Sequence, residues 1–202
     1  ANDLKPQNER VQLLLQLVAV TLALTWFNRD LIVIVFDSYL YLSWGWLPLL
    51  ALLLLGFINL NNVMNEVDGL VACQAFTMVF ASACLLAISA ELQWTVPLIL
   101  LCAPILGFLA WNWPPAKIFM GDAGSGFLGF VLAVHALHAT VSGTTTIWPW
   151  LILLGVFLVD ATLTLLRRAL RRIRVTDAHR THAYQWASRQ LGAHKPVTIS
   201  VV

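Results

Sequence analysis

The chain has 202 residues, of which 59% are hydrophobic and 11% charged. A soluble domain carries about 25% charged residues, so this composition excludes one and describes a polytopic membrane protein. The formal net charge of +2 argues against a nucleic-acid partner.

Residues 1–10 (ANDLKPQNER) are polar. Val11 to Phe27 is a first predicted span, and Asn28, Arg29 and Asp30 break it. Leu31 to Leu42 is apolar but β-branched and interrupted by Asp37, which predicts a re-entrant or interfacial segment. Trp44 to Asn62, Gly69 to Ala90, Val96 to Asn112, Gly126 to Val141 and Ile147 to Leu166 are five further spans. Each reaches, or nearly reaches, the length that crosses a hydrocarbon core of about 30 Å at about 1.5 Å per residue. A basic run from Arg167 to Arg174 and a polar tail to Lys195 follow. The three cysteines (Cys73, Cys84, Cys102) lie inside apolar runs without a CxxC pair, which describes packing residues. The expected fold is all-α: a polytopic helix bundle of about six transmembrane helices with cytoplasmic catalytic loops. The polar start without Met and the apolar end cut short suggest one transmembrane domain over 1–202, taken from a longer chain.

Six crossings place the loops alternately on two sides. Lys5, Arg10, Lys117, Arg167, Arg168, Arg171, Arg172, Arg174, Arg180, Arg189 and Lys195 fall on one side, and Arg29 alone on the other. By the positive-inside rule the first side is cytoplasmic. The tryptophans agree, with Trp26, Trp44, Trp46, Trp94, Trp148 and Trp150 at the outer boundary and Trp111 and Trp113 at the inner one.

The polar residues capable of chemistry collect on that same side. The run from Pro115 to Gly129 (PAKIFMGDAGSGFLG) holds Lys117, Asp122, Gly124 and Ser125. An acid among glycines at the mouth of a helix suits a hydrated divalent cation, and the helix start favours anionic oxygens. The same pattern also describes a polar turn between two membrane helices. Asn59, Asn62 and Asn65 repeat every three residues, on one helix face, and Asp68 follows. They suit a nucleobase, a sugar or a metal-bound water, or else hydrogen bonds between helices. His179 and His182 flank Arg180 in a loop, a set that could hold metal or a pyrophosphate or stay solvated. His135 and His138, deep in the fifth span, are expected to pack within the bundle. Asp160 lies about 10 Å inside the inner boundary, so a partner or a place in a site must account for it. Polarity gathered at one face favours chemistry at the membrane surface over transport. Carboxylates, basic residues and Gly-rich backbone together suit phosphoryl-type transfer between anionic substrates.

The run from Lys117 to Ser125 (KIFMGDAGS) resembles the KxFMGDxGS signature of the polyprenyl-phosphate N-acetylhexosamine-1-phosphate transferases, glycosyltransferase family 4. Asn59 to Leu70 is similar to the family's NxxNxxDGxDGL, and His179 to Gln185 looks like the HRxHxYQ form of its histidine loop. Asp160-Ala161-Thr162 through Arg167-Arg168 resembles the helix that precedes that loop. The resemblance implies an integral membrane enzyme that moves a sugar 1-phosphate from a UDP-N-acetylhexosamine to undecaprenyl phosphate and releases UMP. It implies Mg²⁺, with Mn²⁺ as an alternative, and the lipid bilayer as the setting, with a homodimer as the assembly to test. The histidine loop points to the branch that starts O-antigen and related surface glycans. By the same resemblance Asp122 and Asp3 would be metal ligands, and Asp3, Asp68 and Asp122 the catalytic carboxylates. Asn59, Asn62, Lys117, Gly124, Ser125, His179, Arg180 and His182 would bind substrate. Two motif positions depart from the pattern. Asn2 stands where the first of two paired aspartates is expected, and Asn65-Glu66 where the family has Asp-Gly. An amide is no base and a weaker Mg²⁺ ligand than a carboxylate.

Overall fold

The computed structural model describes residues 9–27, 31–35, 38–88, 92–143, 145–171, 182–192 and 194–201. Helix α1 (Glu9–Trp26) leads to two strands, β1 (Leu31–Val35) and β2 (Ser38–Leu42). These strands fall where the sequence suggested an interfacial segment. Their β-branched and aromatic residues suit a pleated ribbon. They pair antiparallel, with Leu31 opposite Leu42 and Val35 opposite Ser38. Val33 and Leu42 turn inward onto Phe27, Leu47, Leu50 and Val141, which fastens the ribbon to the bundle.

Helices α2 (Leu47–Met64), α3 (Leu70–Ile88), α4 (Leu92–Asn112) and α5 (Gly121–Val141) follow. These four are long and apolar enough to cross a membrane. The result is a membrane helix bundle. Of the four, α3 is the most enclosed. It shares a core with α4, α5 and the segment beyond, built on Met78, Val79, Leu98, Leu132 and Trp150. Helix α2 lies against α5 on one side and α1 on the other, through Ile58, Leu54, Val20 and Ala133. The α2–α5 contact is close because Gly129 has no side chain: a Cβ there would sit 3.0 Å from Ile58 Cα.

Where the sequence suggests six crossings, the two outer members differ from the inner four. The apolar part of α1, Val11–Trp26, is shorter than the others. The run Ile147 to Leu166 divides at Leu154 into α6 (Trp148–Leu153) and α7 (Gly155–Leu170). A broken helix leaves carbonyls without their partners, and in an apolar setting each must be satisfied. The buried Gln74 of α3 does this, donating its side-chain N–H to the Leu153 carbonyl.

Two short helices complete the described chain, α8 (Ala183–Leu191) and α9 (Lys195–Val201). They close over the ends of α2, α3 and α7 through a second core of Met64, Val67, Leu70, Phe157, Tyr184 and Val197. His135 lies 5.9 Å from the Trp150 ring, and His138 3.9 Å from Trp94, so both pack within the bundle as the sequence suggests.

Candidate functional site

The turn between α2 and α3 is the centre of the site end. Gly69 there has φ of +74°, a left-handed conformation that favours glycine. It is also crowded, since a Cβ would meet Pro114 Cδ at 3.1 Å. The Gly69 N–H donates to Asn112 Oδ1 at 2.9 Å, and Asn112 Nδ2 donates to the Ile118 carbonyl at 2.9 Å. One buried amide at the end of α4 therefore ties the α2–α3 turn to the segment before α5. Asp68 strengthens the tie, its Oδ2 accepting the Ala116 N–H at 3.1 Å. His194 Nδ1 approaches both Asp68 Oδ2 (3.2 Å) and the Asp68 N–H (3.3 Å). One nitrogen cannot serve both: protonated it donates to the carboxylate, and bare it accepts the N–H. Thr198 of α9 donates to the Asp68 carbonyl at 2.8 Å.

The start of α5 brings in the next residues. Gly121 takes φ of +65°, and Asp122 falls in the first turn, where a carboxylate suits the helix dipole. Asp122 is exposed, and its carboxylate has no hydrogen bond or ion pair among the described residues. Gly124 leaves room for the Met120 side chain, whose Cγ would lie 2.7 Å from a Cβ at that position. Ser125 is fully buried and donates to Asn62 Oδ1 at 2.6 Å, which orients the Asn62 amide with its NH₂ turned away. Lys117 is exposed, with Nζ 5.3 Å from the centre of the Trp111 ring, a cation–π distance.

The α8 segment docks on the same end. Tyr184 donates its hydroxyl to the Val63 carbonyl at 2.8 Å. Gln185 bridges two groups: its NH₂ donates to Glu66, and its Oε1 accepts the His182 N–H at 3.2 Å. His182 Nδ1 lies 2.9 Å from Asp160 Oδ2, and the Ala183 N–H donates to Asp160 Oδ1 at 2.7 Å. Burial, then the neighbouring Glu66 and Asp160 carboxylates, push the Tyr184 phenol well above its ordinary range.

Asn62, Asp68, Lys117, Asp122, Gly124, Ser125 and His182 thus belong to three segments drawn together at one end of the bundle. Asn59 faces elsewhere, its amide donating to Gln16 of α1 at 3.2 Å and to the Leu55 carbonyl at 2.8 Å. Asp3, His179 and Arg180 lie outside the described residues. Asn112 and His194 were not singled out from the sequence, and Gln185 entered only as the last residue of the histidine-loop motif. Asn112 had a signal, a costly amide closing an apolar run, whereas His194 in a polar tail had none.

Among the described residues no group of three His, Cys, Asp or Glu could hold a metal. Mg²⁺ asks for less, keeping several waters and taking one or two carboxylates plus substrate phosphates. Asp122, whose exposed carboxylate has no protein partner among the described residues, fits that mode of binding.

A family model described as glycosyl transferase family 4 matches residues 1–140. The "Probable undecaprenyl-phosphate N-acetylglucosaminyl 1-phosphate transferase" of Bacillus subtilis (strain 168) is 32% identical over 181 residues, 87% of this chain and 50% of the relative. The "Phospho-N-acetylmuramoyl-pentapeptide-transferase" of Synechococcus sp. (strain CC9311) is 34% identical over 161 residues, 75% of this chain and 42% of the relative. That of Lactiplantibacillus plantarum is 40% identical over 122 residues, 58% of this chain and 35% of the relative. The chain spans half or less of the length of these curated relatives. With its apolar helices, its converging motif segments and a family match that covers most of its length, this chain belongs to glycosyl transferase family 4.

Proposed function

We propose that the protein carrying this chain transfers an N-acetylhexosamine 1-phosphate from a UDP-sugar to undecaprenyl phosphate, releasing UMP. The observation that carries this reading is the convergence of three distant segments, joined by Ser125 to Asn62, Ala116 to Asp68 and Gln185 to Glu66. The names of the relatives support the chemistry, since one is a probable undecaprenyl-phosphate N-acetylglucosaminyl 1-phosphate transferase and another a phospho-N-acetylmuramoyl-pentapeptide transferase. In the reaction, an oxygen of the lipid phosphate bonds to the β-phosphorus of the UDP-sugar. The bond from that phosphorus to the bridging oxygen breaks, and UMP leaves with the electron pair.

Asp122, with Asp3, would hold Mg²⁺. The bound ion supplies positive charge that screens two anionic reactants from each other. Lys117 adds a point charge for a phosphate, and the amide of Asn62, set by Ser125, offers donors to the nucleotide. His182, with His179 and Arg180, would contact the diphosphate. Asp68 is held by Ala116 and positioned beside the same end. We assign this end to the cytoplasmic face of a bacterial inner membrane, and the product to O-antigen or related surface glycans. The positive-inside bias and the form of the histidine loop support these assignments.

The test is transfer in membranes bearing the full-length protein, with UDP-N-acetylhexosamines, undecaprenyl phosphate and Mg²⁺, following UMP release. Turnover lost with EDTA and in Asp122→Ala is the expected result. A folded full-length protein without turnover would overturn it and leave a catalytically degenerate family member. Glu66, the residue that could replace a lost aspartate charge, is bonded to Gln185, which favours that second reading as the alternative.

A further inference from the structure

Gln12 and Gln16 are the only polar residues between Val11 and Val20 of α1. Four apart, they share one helix face, and both are half-buried. The outer face, with Leu13, Leu14, Leu17 and Val18, is exposed and suits lipid. An amide in such a span is costly unless its polar atoms find partners. Gln16 Oε1 accepts the Asn59 side-chain N–H at 3.2 Å. Gln16 Nε2 has no hydrogen bond among the described residues. It stands over Gly126 of α5, 3.8 Å from where a Cβ would sit. Gly126 follows Asp122 by four residues, so the two share a face of α5. They are separated by about 6 Å along the axis. Helices α1 and α5 run in the same direction, since Phe27 and Val141 both meet the ribbon at the far end. Gln16 therefore presents an unused amide donor on the Asp122 face, one turn deeper into the bundle, and Gln12 stands back toward the level of Asp122.

We propose that Gln16 binds the phosphate headgroup of the lipid acceptor, with Nε2 donating to a phosphate oxygen one turn from Asp122. The proposal rests on the transferase reading, in which one of the two reactants is a lipid. An amide NH₂ donates to oxygen and carries no charge, so it suits a phosphate whose charge is met by a cation at Asp122. The outer face of the same helix meets lipid, so a ligand reaches Gln16 from the bilayer side, where the lipid acceptor resides and the nucleotide does not. A tie between α1 and α2 alone would use Oε1 on Asn59. It would not call for a donor set over Gly126.

The experiment is steady-state transfer by the full-length protein in membranes, with undecaprenyl phosphate and the UDP-sugar varied in turn. Gln16→Leu should raise the KM for undecaprenyl phosphate about tenfold, the scale of one hydrogen bond to a charged group. The KM for the UDP-sugar and kcat should move less than about twofold, because the bond is made in the ground state and the transition state alike. Gln16→Glu keeps an oxygen for Asn59 and replaces the donor with a negative acceptor. It should raise the KM for undecaprenyl phosphate at least as far. A wild-type KM in Gln16→Glu would show that the tie to Asn59 is the whole role of Gln16, and the proposal falls. A rise in the KM for the UDP-sugar instead would give the donor to the nucleotide, and the proposal falls as well. A second measurement needs no turnover: native mass spectrometry of the full-length protein with undecaprenyl phosphate and undecaprenol. Wild type should retain the phosphate over the alcohol, and Gln16→Glu should lose that preference. The same preference in both proteins, or none in wild type, overturns the proposal. If wild type transfers nothing, the transferase reading falls, and the binding result alone decides the role of Gln16.

Discussion

Tyr184 shows how a single side chain can tie burial to charge. Its hydroxyl reaches the Val63 carbonyl at the end of α2, and its ring stacks on His182. Its phenol is raised above the ordinary value of 10.0 by burial first, and then by Glu66 and Asp160. In the unfolded chain the phenol ionises at its ordinary value, while in the folded protein it keeps its proton. Its stabilising contribution is therefore complete below that value and is lost as pH rises beyond it. Unfolding in detergent should show stability falling between about pH 9 and 11, and Tyr184→Phe should flatten that fall. An unchanged slope in Tyr184→Phe would mean that other groups govern the alkaline limb. Residue types at this scale were partly legible. Asp160 stood out because an acid in an apolar run demands a partner. That its partners are His182 and Ala183, 22 and 23 residues away, is a fact of tertiary packing that no local spacing carries.

At the scale of elements, the contact between α2 and α5 sets the geometry of the site. Ser125 and Gly129 lie one turn apart on α5, so the bond from Ser125 to Asn62 depends on the close approach at Gly129. A valine there would drive its Cβ against the Ile58 backbone, where no side-chain rotation relieves it. Gly129→Val should destabilise the protein by about 1–3 kcal/mol, the usual cost of overpacking. Gly107 of α4, where a Cβ would meet nothing within 4 Å, is the control, and Gly107→Val should be nearly neutral. Thermal unfolding of both in detergent checks this, and equal losses would place the close contact elsewhere. The four inner helices were readable as apolar runs of the right length. The ribbon of β1 and β2 was readable only as a segment unfit to cross, because β-branched residues fit a strand without specifying its mate. The division of α6 from α7 was not readable at all. The run is apolar throughout its first half, and the group that accommodates the break, Gln74, lies on another helix.

The whole molecule has two unlike ends. One gathers Asn62, Asp68, Lys117, Asp122 and His182. The other is closed by the ribbon against Val141 and Leu47. Cysteines placed at Lys117 and at Tyr41, both exposed, should react with a membrane-impermeant maleimide from opposite faces. Lys117→Cys should label in inverted vesicles and Tyr41→Cys in intact cells. Labelling of both from one face would refute the assigned topology. The sidedness of the motifs was legible because alternation of spans and the basic bias need only counting. The joining of the three segments was not, since Asn112 and Gln185 act through contacts between residues far apart in the chain.

The amide of Gln74 has one further consequence. A break in an apolar helix leaves a carbonyl that must find another partner. Here the carbonyl of Leu153 is answered from within the bundle, by a side chain 79 residues away. At this carbonyl the break between α6 and α7 is answered by protein and asks no water to enter the bundle.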